Sequence, residues 1–192
     1  MEYRGTWKEI WRQKGEMEGT VEDLYIYDGW EKSKADIRVT ADKIIRELDI
    51  QPEDRVLEVG CGAGALAQYM ECKYIGMDYS MPLVEKHIQF FGNSVIHAEA
   101  DDIPFKDKYF DKCFCWGVFL YFESLEYARK AVQEIQRVTK QGILIGELPE
   151  VSHDEKHLLY QKKMFEGWAI QDAWTPQYKG KRFIVVKKGS LA

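Results

Sequence analysis

The chain of 192 residues reads as an α/β protein, a three-layer sandwich on a mostly parallel seven-stranded sheet. The sheet ends in an antiparallel C-terminal hairpin, and an N-terminal helical extension precedes it. Three observations predict this. From residue 55 onward, short apolar runs alternate with stretches of helical period, the pattern of parallel strands covered on both faces by crossover helices. A glycine-rich turn joins the first of those runs to the first helical stretch. Near the end, only residues 175–180 separate two extended segments. That is too few for a crossover helix, so the two must pair antiparallel.

Taken in order, residues 3–11 suggest a short amphipathic helix carrying Trp7 and Trp11. A glycine-containing loop leads to Leu24-Tyr25-Ile26-Tyr27 and Trp30. Ser33 is placed to cap a helix running to about residue 49, with Ile37, Ile44, Ile45 and Leu48 as its apolar stripe, and Pro52 closes that segment. Strands are expected at 56–59, 74–78, 94–97, 112–116 and 143–145. Helices are expected at 65–71, 82–91 and 125–138, with Gly142 supplying the left-handed residue after the last of them. A helix near 154–163 and strands at 167–174 and 182–187 complete the chain. With no repeat or linker-like tract, residues 1–192 read as one domain, with 1–50 as a helical cap and 51–192 as the ligand-binding core.

Composition narrows the function. The formal net charge of −5 argues against sequence-blind binding of nucleic acid. Residues 179–188 are locally basic but alternate like a strand with charged ends. No apolar run approaches the roughly 18 residues that span a bilayer, and the first residues lack the apolar block of a secretory signal, so no membrane partner and a cytoplasmic location are expected. Cys61, Cys72, Cys113 and Cys115 read as reduced thiols. They lack the paired spacing of a zinc site, and no metal is expected.

The chemistry concentrates at Val56-Leu57-Glu58-Val59-Gly60-Cys61-Gly62-Ala63-Gly64. Gly60 permits a sharp turn, and Gly62 and Gly64 would let a ligand approach the backbone without a Cβ in the way. The same residues satisfy the dinucleotide pattern Gly60-x-Gly62-x-x-Ala65. Asp78 ends the second strand, placed to accept both hydroxyls of a ribose, which either cofactor class would require. Ser80 is free to cap the next helix.

The stretch Ala98-Glu99-Ala100-Asp101-Asp102-Ile103-Pro104-Phe105, with Tyr109-Phe110-Asp111 after it, discriminates. With these residues the chain resembles the class I, seven-stranded, Rossmann-like S-adenosylmethionine-dependent methyltransferases, in their small-molecule branch, over about residues 56–146. The resemblance implies S-adenosylmethionine as cofactor and S-adenosylhomocysteine as product. It implies that Glu58 orients the loop and the charged end of the cofactor, that Gly60, Cys61 and Gly62 pass along its methionine part, and that Asp78 holds its ribose. Tyr79 would flank the adenine, Glu99 would accept from the adenine amine with the Ala100 amide on a ring nitrogen, and a shift of register would bring in Asp101 instead. Trp116 and Gly117 would line the methionine carboxylate or the sulfonium.

The acceptor is less legible. Many relatives carry a histidine where Leu120 stands, so no catalytic base is fixed. Tyr121 and His153 are the candidates for positioning or deprotonating an acceptor, and Glu147 also lies after the fifth strand. Trp7, Trp11, Tyr25, Tyr27 and Trp30 either pack the N-terminal segment down or form an aromatic lid over a flat or cationic acceptor. A small-molecule acceptor and a monomer or homodimer are expected. The rival readings are a non-catalytic cofactor-binding scaffold that activates a partner, and an NAD(P)-dependent oxidoreductase.

Overall fold

The computed structural model describes residues 5–30, 34–92, 94–151 and 154–190. Seven strands form one sheet in the order β3-β2-β1-β4-β5-β7-β6. β1 (Arg55–Val59), β2 (Lys73–Asp78), β3 (Val95–His97), β4 (Phe110–Trp116) and β5 (Thr139–Pro149) run parallel. β7 (Arg182–Lys188) runs antiparallel both to β5 and to β6 (Ala169–Asp172), so the hairpin puts its second strand inside the sheet and its first at the edge.

Alternation along the strands divides the core into two layers. Val56, Phe114, Leu144 and Ile184 pack with Ile37, Ala41, Ile44 and Leu48 of α3 (Lys34–Leu48). Leu57, Cys113, Cys115, Ile143 and Val185 pack with Ala128, Ala131, Ile135 and Val138 of α5 (Leu125–Val138). Burial on both faces is why these strands read as continuous apolar runs.

The N-terminal segment crosses the carboxyl ends of the strands. α1 (Trp7–Glu16) starts at Thr6, whose hydroxyl accepts from the Glu9 amide while the Glu9 carboxylate accepts from the Thr6 amide. That capping box sets the helix later than the sequence suggests, and residues 3–4 lie outside the described ones. At Gly15, α1 touches the start of α4 (Met81–Phe91) so closely that a Cβ would lie 2.7 Å from the Leu83 amide nitrogen. A single helical turn, α2 (Leu24–Tyr27), then carries the chain to Asp28. Ser33, the expected cap of α3, lies outside the described residues.

Three expectations fail for local reasons. The helix at 65–71 is one 3-10 turn, Ala67–Tyr69, because β2 already begins at Lys73. The helix near 154–163 is absent: Leu158 N donates to Leu120 O and Tyr160 N to Pro149 O, so this segment spends its amides on other parts of the chain. Gly142 is not a helix cap. Thr139 leaves α5 directly in extended conformation, and Gly142 sits inside β5, paired with Lys112 and Lys188. Among the described residues no helix is long and apolar enough to cross a membrane.

Candidate functional site

Loops at the carboxyl ends of the strands enclose a cavity of about 640 Å³ roofed by α1, a size ordinary for a small-molecule site. Its floor is the glycine loop. Gly60 N and Cys61 N both donate to Met77 O, at 2.8 and 3.0 Å, which pins the loop to β2. Asp78 ties two loops together: Oδ2 accepts from Gly62 N and Oδ1 from Ser80 N, each at 2.9 Å. Ser80 heads α4 without a side-chain cap.

Asp28 is the residue that the sequence did not single out. From the turn after α2 its Oδ1 accepts from Ala63 N at 2.6 Å and its Oδ2 from Ala65 N at 2.7 Å. Gly62 has φ +55, and a Cβ there would lie 2.2 Å from Asp28 Oδ1. The freedom expected to admit a ligand therefore admits a carboxylate of the chain itself. At Gly60 the equivalent space is filled by Val118.

Asp28, Glu58 and Asp78 all face the cavity, and among the described residues none of them is in a salt bridge. Tyr74 Oη donates to Glu58 Oε2 at 2.6 Å. Burial pushes the Asp28 carboxyl up to about 7, against the pull of the Ala63 and Ala65 amides and of the Lys14 charge. Burial pushes Asp78 up to about 6, against the Ser80 and Gly62 amides, and drives Glu58 well above its usual range. Buried Glu58 and Asp78 and half-buried Asp28, outside any salt bridge among the described residues, favour a positively charged ligand. A sulfonium and an ammonium meet that requirement; a pyrophosphate does not. In a dinucleotide-binding loop, moreover, the first helical amides hold phosphate, and here Asp28 occupies the amides of Ala63 and Ala65.

At the far end, Glu99 Oε1 accepts from Lys8 Nζ at 2.9 Å and Oε2 from Tyr127 Oη at 2.8 Å. Burial works to raise this carboxyl, but the hydrogen bonds from Lys8 and Tyr127 outweigh it and hold it below the usual range. Of the residues expected at the site, Glu58, Gly60, Cys61, Gly62, Asp78, Tyr79, Glu99, Trp116 and Tyr121 line the cavity. Ala100 and Asp101 do not: the Ala100 amide donates to Tyr127 Oη at 3.1 Å behind the rim. Trp116 stacks on Trp174, ring centroids 4.9 Å apart.

Beside this cavity lies a chamber of about 480 Å³ that shares Trp7, Trp11, Gly117 and Tyr121 with it as walls. The Trp7 ring stands 4.6 Å from Tyr121 and 5.1 Å from His157, and Trp11 stands 5.0 Å from Tyr121. The N-terminal aromatics Trp7, Trp11 and Trp30 thus both pack the segment down and line the two spaces. Deeper in the chamber, Arg182 Nη1 meets Glu147 Oε2 at 2.9 Å. His153 lies outside the described residues.

The fold is that of solved methyltransferase structures, and the similarity to a methyltransferase family covers a little under half of the chain. Residues 57–145 match the family model described as a methyltransferase domain. An uncharacterised protein of Methanocaldococcus jannaschii is 35% identical over 127 residues, which cover 64% of this chain and 57% of that protein. The tRNA (carboxymethyluridine(34)-5-O)-methyltransferase of Arabidopsis thaliana is 32% identical over 102 residues, 52% of this chain and 25% of that one. The chain therefore spans about half, or less, of the length of these relatives. Among solved structures, magnesium protoporphyrin IX methyltransferase from Synechocystis with bound SAH shares the fold with a TM-score of 0.64 at 15% identity, over 94% of this chain and 93% of that one.

Proposed function

We propose that this protein transfers the methyl group of S-adenosylmethionine to an acceptor held in the aromatic chamber, by in-line displacement. The observation that carries the reading is the set of three cavity carboxylates, Asp28, Glu58 and Asp78, none of them in a salt bridge among the described residues, next to a second space that shares its walls. The bound cofactor supplies an electrophilic methyl carbon on sulfur. The chain has to bind, align and exclude water. In this reading Asp78 takes the ribose hydroxyls, Glu99 the adenine amine and Tyr79 the adenine face. Glu58 and the backbone of Gly60, Cys61 and Gly62 hold the methionine end, and Trp116 borders the sulfonium. Ala100 and Asp101 act only from behind the rim.

Residues 5–30 serve as the cover. Its latch is weak, since Lys8 and Glu99 are both substantially exposed, and such bridges contribute about 1 kcal/mol at most. The enclosure of the chamber by Trp7 and Trp11, with the net charge of −5, supports a small-molecule acceptor rather than nucleic acid. The similarity to the Arabidopsis enzyme favours a tRNA nucleotide as the second reading.

Calorimetric titration with S-adenosylmethionine, S-adenosylhomocysteine and NADPH, beside Asp78→Ala, tests the proposal. Micromolar binding of the first two, weakened in the variant, is expected. Binding of NADPH alone would overturn it, and cofactor binding without turnover on any acceptor would leave a non-catalytic scaffold. Incorporation of label into unmodified tRNA would select the second reading.

A further inference from the structure

Glu147 is the first residue beyond Gly146, whose carbonyl accepts from Gly117 N at 3.3 Å. It therefore stands inside β5 just past the end of β4, one residue from a wall that both spaces share. Its backbone is left-handed, φ +63, which is uncommon and costly for a residue with a Cβ. The β5–β7 register breaks between Ile145 and Leu148, a bulge around Glu147. Bulges of this kind re-aim a side chain, and Glu147 borders the chamber while remaining only 4% exposed.

The carboxylate is half satisfied. Oε2 receives Arg182, but Oε1 makes no hydrogen bond among the described residues. A buried oxygen left without a donor is costly, so a ligand that donates there gains what the fold leaves unmade. Arg182 cancels the charge of Glu147 and lies with its Cζ 3.7 Å above the Tyr178 ring. An anionic acceptor thus finds the charge of Arg182 already taken. Among the other walls, Trp7, Trp11, Tyr121 and His157 are flat rings, and the charged ones, Lys14 and Lys156 against Asp28 and Asp154, are two of each sign. Burial raises the Glu147 carboxyl, opposed by Arg182 and the Thr175 hydroxyl, which suits it to take a proton.

We infer that the chamber takes a flat, uncharged acceptor whose nucleophile is an O–H or N–H, and that Glu147 Oε1 receives that hydrogen; the inference rests on the methyl-transfer reading. The lone pair of the acceptor atom forms the new bond to the methyl carbon, and the displaced pair remains on sulfur. The acceptor's proton passes to Glu147 Oε1 and then to water.

The test uses the full chain with methyl-labelled S-adenosylmethionine and four acceptor sets: phenols and naphthols, hydroxyquinolines, benzoates, and unmodified tRNA. Label is expected in the first two sets only. Glu147→Gln should bind the cofactor as the parent does, measured by calorimetry, and lose at least about a hundredfold in kcat. The parent's kcat should rise with pH as Glu147 ionises, and Glu147→Gln should lack that rise. Glu147→Asp keeps a charge for Arg182, so it guards against misfolding; it should lose rate with cofactor affinity intact. Failure to bind cofactor at all refutes the methyl-transfer reading. Cofactor binding with label in benzoate or tRNA, with no labelled acceptor, or with the same pH profile of kcat in the parent and in Glu147→Gln refutes the role of Glu147.

Discussion

Binding of S-adenosylmethionine near pH 6.5 should release about one proton or more, and Asp28→Asn should lower that release by about three quarters of a proton. In the folded protein Asp28 titrates at about 7 and Asp78 at about 6, both above their ordinary 3.8. Half a unit below its midpoint, Asp28 is about three quarters protonated; half a unit above its own, Asp78 is about one quarter protonated. A cation seated among them favours both carboxylates in ionised form, so these two contribute about one proton, while Glu58, which burial also raises, adds its share in parent and variant alike. With Asp28→Asn the release falls by about three quarters of a proton, the share of Asp28. The assay is calorimetry in two buffers of different ionisation enthalpy, in which the observed heat differs by the number of protons exchanged. Affinity should rise with pH through about 6 to 7 and level off above, and the release from Asp28 and Asp78 should vanish near pH 8.5. Proton uptake, heats independent of buffer, or an unchanged value in Asp28→Asn would each refute the electrostatic account of the site. The same shifts act on stability with a definite sign. Groups whose folded value is raised hold protons that the unfolded chain has already given up, so stability of the free protein declines as pH rises from about 4 through 7 and is level beyond.

The same geometry sets three further outcomes. Gly62→Ala meets both a left-handed backbone and the Asp28 carboxylate at 2.2 Å; it should cost about 1–3 kcal/mol in denaturant melts. Adding Asp28→Ala should recover part of that loss, whereas strictly additive effects would argue that the two residues do not meet. Lys8→Ala should change cofactor affinity by no more than about fivefold, because its bridge to Glu99 is exposed; a hundredfold loss would mean that α1 is a strong clamp. Arg137 binds Glu134, Asp107 and the carbonyls of Ile103 and Phe105. Arg137→Ala should therefore lower Tm while leaving cofactor affinity within about twofold, since none of these contacts borders the cavity.

Legibility in the sequence tracked how local the determining physics is. The strands were readable because β1, β4 and β5 are buried on both faces and apolar residues succeed one another along them. α5 was readable to the residue, from Leu125 to Val138, because its apolar spacing is regular. The segment 154–163 was misread because its helical pattern competes with long-range bonds from Leu158 and Tyr160, which no local window contains. Within the site, the glycine loop and Asp78 announced themselves by spacing. Asp28 did not: nothing in Tyr27-Asp28-Gly29 distinguishes a surface turn from a carboxylate that reaches residues 35 and 37 positions away. Lys8, Tyr127, His157 and Arg182 escaped for the same reason.

In the proposed reading, most residues assigned to the cofactor and several of those that line the acceptor chamber come from different parts of the chain, which is consistent with a family match that does not name a substrate. Glu58, the glycine loop, Asp78, Glu99 and Trp116 all lie within the matched residues 57–145. Trp7, Trp11 and Asp28 precede that span, while Glu147, His157 and Arg182 come after it, and these side chains line the second chamber together with Trp116, Gly117, Leu120 and Tyr121 from within it. Asp28 couples the two groups. It leaves the N-terminal segment, closes on Ala63 and Ala65 of the glycine loop, and lines both spaces. A change in the seating of α1 and α2 would thus be felt at once by the loop that carries the cofactor and by the wall that meets the acceptor. Variation in residues 5–30 is therefore where acceptor preference can shift while the glycine loop and Asp78 stay unaltered in sequence.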